Sequence, residues 1–138
     1  MRRRILSLAA AAVLVGFTGG GFGAPAHAAE LQFVTGPGSQ ITNYTVPALV
    51  IRAGDTVTYT NVDVAPHDVV STRIGPDRPW CASAGFTPGT CPLVWTPLQG
   101  LAGSSKIYGL ESLKPGDQVP FHCTVHPGMQ ATLVVLPV

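Results

Sequence analysis

The chain of 138 residues carries eight Lys and Arg against seven Asp and Glu, a formal charge of +1, and is 46% hydrophobic but only 11% charged. So apolar a composition excludes a charge-driven disordered tail, and without a basic excess no nucleic-acid partner is expected. The length suits one domain, and 16 Gly with 13 Pro favour many turns and short strands over long helices.

The first stretch reads as an address label. Arg2, Arg3 and Arg4 precede an apolar run from Ile5 to Phe17, and Ala26-His27-Ala28 is a small-x-small cleavage pattern. A signal peptide over 1–28 is expected, leaving 29–138 as one exported domain, periplasmic or secreted. The apolar run is shorter than the roughly 20 residues that a bilayer span requires, so no membrane span is expected. Nor does a Cys precede Cys81 to carry a lipid. Losing three Arg would leave five bases against seven acids, a formal charge of −2.

The remaining chain reads as all-β. Leu31 to Val34 is a first short strand, broken by Gly36-Pro37-Gly38. Val46 to Arg52 and Thr56 to Thr60 are two strands joined through the tight turn Ala53-Gly54-Asp55. In the second, Val57 and Tyr59 share one face and the three Thr the other, the alternation of a half-buried strand. Ala131 to Leu136 is the closing strand, and no stretch carries a sustained helical repeat. Residues 71–105 are irregular, rich in Pro, Gly, Thr and Ser, with Trp80, Phe86 and Trp95 scattered as a local mini-core. A long irregular segment in a small domain is usually functional or stapled. An exported chain permits the staple, a Cys81–Cys91 disulfide.

The chemistry is concentrated in Phe121-His122-Cys123-Thr124-Val125-His126-Pro127-Gly128-Met129. Cys-x2-His-x2-Met places a thiolate, an imidazole and a thioether within seven residues, soft and borderline donors that suit copper in either oxidation state. Pro127 stiffens this turn and Gly128 permits it. Strand alternation puts Val119, Phe121 and Cys123 on the inner face and Pro120 and His122 on the outer one, so His122 is not a ligand. His27 leaves with the signal, and His67 is then the remaining imidazole. The expected metal site is His67, Cys123 and His126 near one plane, with Met129 as a weak axial ligand. Asn61 is expected to tie the loop before His67 to the backbone near Cys123. Zinc is a poorer fit, because thioether binds it weakly and no closed tetrahedral set is present.

Two stretches, Asp55 to Asn61 with Pro66-His67 and then His122 to Met129, resemble the cupredoxins, the amicyanin and plastocyanin group in particular. The resemblance spans about residues 46–70 and 106–138, and the short Cys-x2-His-x2-Met loop is more like amicyanin. It implies a Greek-key β-sandwich, one type 1 copper, and single electrons carried between redox partner proteins that dock weakly and transiently near His126. On the same resemblance His126 is the electron port, its ring edge framed by Pro66, Pro127 and Gly128. A monomer is expected. Residues 71–105 depart from the amicyanin pattern. Copper enzymes need further clusters such as His-x-His, which the sequence lacks, so no enzyme activity is expected. A storage or delivery module for copper would use the same ligands.

Overall fold

A computed structural model describes residues 28–39 and 43–137. The expected signal peptide, His27 included, lies outside the described residues except for Ala28. Among the described residues, seven strands form two sheets: β1 (Glu30–Thr35), β2 (Asn43–Ile51), β3 (Thr56–Asn61), β4 (Val70–Ser71), β5 (Ser104–Lys106), β6 (Gln118–His122) and β7 (Gln130–Val135). One sheet runs β1-β3-β5 and the other β2-β7-β6-β4. The β1–β3 and β2–β7 pairs are parallel, and the remaining neighbours are antiparallel. The fold is an all-β sandwich, as the sequence implies.

The turn after β2 has a larger task than joining neighbours. It carries the chain from one sheet to the other, since β2 and β3 do not pair. Asp55 shapes this corner by accepting the backbone N–H groups of Ala29 (2.8 Å) and Arg52 (2.7 Å). Inside, alternate residues meet across the two sheets. Val57 and Tyr59 of β3, Phe33 of β1, Val119 and Phe121 of β6, and Leu133 and Val135 of β7 are all buried. Phe33 stands edge-on to Phe121 with ring centres 5.9 Å apart, and Tyr44 is edge-on to Phe121 at 4.9 Å. Tyr44 reaches inward where β2 loses register with β7, between Asn43 and Ala48. Pro47 lies in that stretch and has no N–H to give the ladder.

Residues 71–105 are more ordered than their composition suggests. They contain a short helix, α1 (Pro79–Ser83), and a strand-like run that lies along β4. Ser71 N–H donates to Val94 O (3.0 Å), Thr96 N–H to Val69 O (2.8 Å), and Trp95 and Tyr108 exchange both backbone bonds. The run thereby covers a sheet edge that would otherwise invite pairing with another chain. Cys81 and Cys91 are joined by a disulfide, with Cα atoms 5.7 Å apart. Trp80 stacks on Trp95 at 5.7 Å and 5°, and Phe86 and Tyr108 close the cluster. These rings are half-buried and pack on one another, the mini-core expected of them. Gly109 makes the close approach possible. Its φ is +95°, and a Cβ there would stand 2.0 Å from Leu93 O.

Candidate metal centre

Four side chains meet at one end of the sandwich because two loops leave the two sheets there. After β3 the chain passes through residues 62–66 to His67, whose backbone is clamped to Gln99. His67 N–H donates to Gln99 O (3.0 Å) and Gln99 N–H to His67 O (2.8 Å). After β6 comes Cys123, then His126 and Met129 before β7 begins. This second loop is closed by its own backbone: Cys123 N–H donates to Met129 O (3.0 Å) and Met129 N–H to His126 O (2.8 Å).

The result is a compact donor set. Cys123 Sγ lies 3.8 Å from His67 Nδ1 and 3.6 Å from His126 Nδ1. All three ligand atoms lie within 4.8 Å of one another, and the two imidazole centres are 4.8 Å apart. His67, Cys123 and Met129 have no solvent exposure, whereas His126 is half-buried. Thiolate, two imidazoles and a thioether, three of the four residues fully buried, form a potential type 1 copper site, a set of donors that suits either oxidation state. Burial pushes the Cys123 thiol above its ordinary value, partly opposed by the backbone amides of Asp68, Val125 and His126. A cation entering the site would displace this proton.

Strand phase is as the alternation predicts. Val119, Phe121 and Cys123 point inward, while Pro120 is exposed and His122 half-buried on the outer face, opposite Val70 and Gln130. Asn61 does something different from what was expected. Its amide donates to Ala65 O (2.8 Å) and Gln99 O (2.9 Å), and its Oδ1 accepts Asp63 N–H (2.9 Å). It therefore shapes the loop before His67 and ties it to residue 99, not to the backbone near Cys123. The bridge between the two ligand loops belongs to Asp68. Its carboxylate accepts Thr124 N–H (2.7 Å) and Thr124 Oγ1–H (2.5 Å), and its carbonyl accepts Tyr44 Oη–H (2.6 Å).

A second acid was also missed. Asp63 Oδ2 lies 3.3 Å from His67 Nε2, and both side chains are buried. A carboxylate on the far nitrogen fixes the ring's tautomer and turns the other nitrogen, Nδ1, toward the sulfur as an acceptor of metal. The only hint in the sequence is proximity, four residues before His67 for Asp63 and one after it for Asp68.

No family model matches the chain, and no curated protein matches it. Solved structures do. The reduced state of a proline-to-phenylalanine mutant of amicyanin is 24% identical, with a TM-score of 0.51, over 75% of this chain and 80% of that one. The oxidised state of a proline-to-alanine mutant of amicyanin is 24% identical with a TM-score of 0.50 over the same shares. The Cu(I) form of a methionine-to-alanine mutant of amicyanin is 25% identical with a TM-score of 0.50, again over 75% and 80%. With two sheets, parallel outer pairs and the ligand loop before the last strand, this chain has the cupredoxin fold, in the form that amicyanin takes.

Proposed function

We propose that this chain is an exported blue copper protein that carries single electrons between redox partners, with His67, Cys123, His126 and Met129 as the ligands of one type 1 copper. The observation that carries the reading is the approach of both Nδ1 atoms to one buried sulfur, at 3.8 and 3.6 Å. The likeness to a structure described as a Cu(I) form of amicyanin supports it. Copper, when bound, supplies a one-electron couple.

The protein's share of the mechanism is to hold its donors still. An electron moves fastest when neither oxidation state asks the ligands to rearrange. Here Cys123, His126 and Met129 sit on a loop closed by its own backbone hydrogen bonds, and His67 is clamped to Gln99. Burial keeps water from the sulfur. His126 alone of the four reaches solvent, next in the chain to the exposed apolar Val125. That end is where a partner protein would dock, through a small apolar contact suited to a short-lived encounter.

The test is the visible spectrum of the purified protein titrated with cupric ion. One equivalent should develop an intense thiolate-to-copper band, and Cys123→Ser should abolish it. A protein that stays colourless with copper, or a Cys123→Ser variant that stays blue, would refute the assignment.

A further inference from the structure

Two buried carboxylates flank the donor set, and neither belongs to it. Asp63 is 2% exposed and stands behind His67 with Oδ2 3.3 Å from Nε2. Asp68 is 4% exposed and holds Thr124, the residue after Cys123, through both carboxylate oxygens. The two acids therefore meet the cluster at different members, one behind the first imidazole and one beside the thiolate.

We propose that Asp63 and Asp68 are positioning residues whose charge biases the site toward the cupric state, making this chain a low-potential carrier. The inference rests on the copper reading above. A fixed anion attracts a doubly charged ion about twice as strongly as a singly charged one at the same place, and poor screening inside a protein preserves the difference. Asp63 adds to this through the bond it makes. An imidazole that gives its far N–H to a carboxylate is the more basic ligand, and a more basic ligand favours the higher charge. Asp68 acts through its charge, which its two bonds to Thr124 hold next to the residue that bears the sulfur. Oxidation removes one electron from copper to an acceptor protein and reduction returns one from a donor. No bond of either carboxylate forms or breaks.

Asp63→Asn and Asp68→Asn remove the charge and keep the shape. In Asp63→Asn the side-chain amide oxygen can still accept His67 Nε2–H, and in Asp68→Asn it can still accept Thr124 N–H. Reduction potentials of the copper-loaded wild type and variants should be measured together with separate cupric and cuprous affinities. Each variant should lower the cupric-to-cuprous affinity ratio by roughly tenfold, from one charge lost at an effective dielectric between about 20 and the value of about 80 for water. For a one-electron couple that is a rise of about 59 mV. The blue band should persist, and Asp77→Asn, at an exposed acid outside the site, should not move the potential. Nitrogen-15 shifts of the copper-free protein should show His67 protonated on Nε2 in wild type and Asp63→Asn, and lose that preference in Asp63→Ala. If Asp68→Asn fails to fold, Asp63→Asn decides the matter alone. Blue variants with an unchanged or lowered potential overturn the inference and leave the copper reading standing. A wild type that takes up no copper overturns both.

Discussion

Removing the Cys81–Cys91 bond as the double variant Cys81→Ala/Cys91→Ala should weaken the fold and spare the metal site. The cysteines lie ten residues apart in the sequence. A cross-link closing so short a loop removes about 2.7 kcal/mol of unfolded-state chain entropy at room temperature. Both sulfurs are buried, and Cys81 Sγ accepts Arg78 N–H at 3.1 Å. Their loss should add roughly 1 kcal/mol in packing and hydrogen bonding. For a domain of about this length, a loss of this size lowers the melting temperature by roughly 10–15 °C. The site should survive because its hydrogen bonds to the insertion run through Gln99, beyond the stapled loop. The assay is chemical and thermal unfolding of copper-free protein by far-ultraviolet circular dichroism, with the visible band recorded after copper is added. An unchanged midpoint would show that the bridge does not constrain the chain. A lost band at preserved fold would show that the insertion shapes the ligands, against the reasoning given.

Other outcomes follow from the same contacts. His122→Ala should leave the blue band intact and cost about 1 kcal/mol of stability, because the ring lies on the outer face and its Nδ1 has no hydrogen-bond partner among the described residues. Loss of copper binding in that variant would mean that the strand phase around Cys123 is wrong. Asp55 is held below its ordinary value of 3.8 by the amides of Ala29 and Arg52. Its contribution is complete above that ordinary value and is lost as pH falls through the lower, folded one. Unfolding free energy of copper-free wild type should therefore fall more steeply in acid than that of Asp55→Asn, and parallel curves would exclude the effect.

Much of the candidate site was legible because three of its four donor residues are neighbours in sequence. Cys123, His126 and Met129 fall within one loop, and alternation in β6 separated Cys123 from His122 without any coordinates. The faces of β3 were readable for the same reason, since a period of two is a local property. What could not be read depends on contacts between distant residues. That β2 and β3 part into different sheets is decided by parallel pairing with β7 and β1, which leaves no local mark. Asp68 meets Thr124 across 56 positions, and an acid in a loop is ordinarily solvated. Asn61 was rightly placed near the site, but its partner was misjudged because the residue 99 segment could not be seen returning to the His67 loop. Residues 71–105 looked formless because their order comes from pairing with β4 and from ring stacking, neither of which has a periodic signature.

The chain has two Trp, and both belong to the stacked pair in the insertion. Indole emission therefore watches that segment alone, while visible absorption watches the ligand loop after metal loading. Heated under both detectors, one molecule reports on two regions at once. Coincident curves would mean that the insertion and the sandwich melt as a unit, and an earlier fluorescence transition would mean that the insertion peels away first.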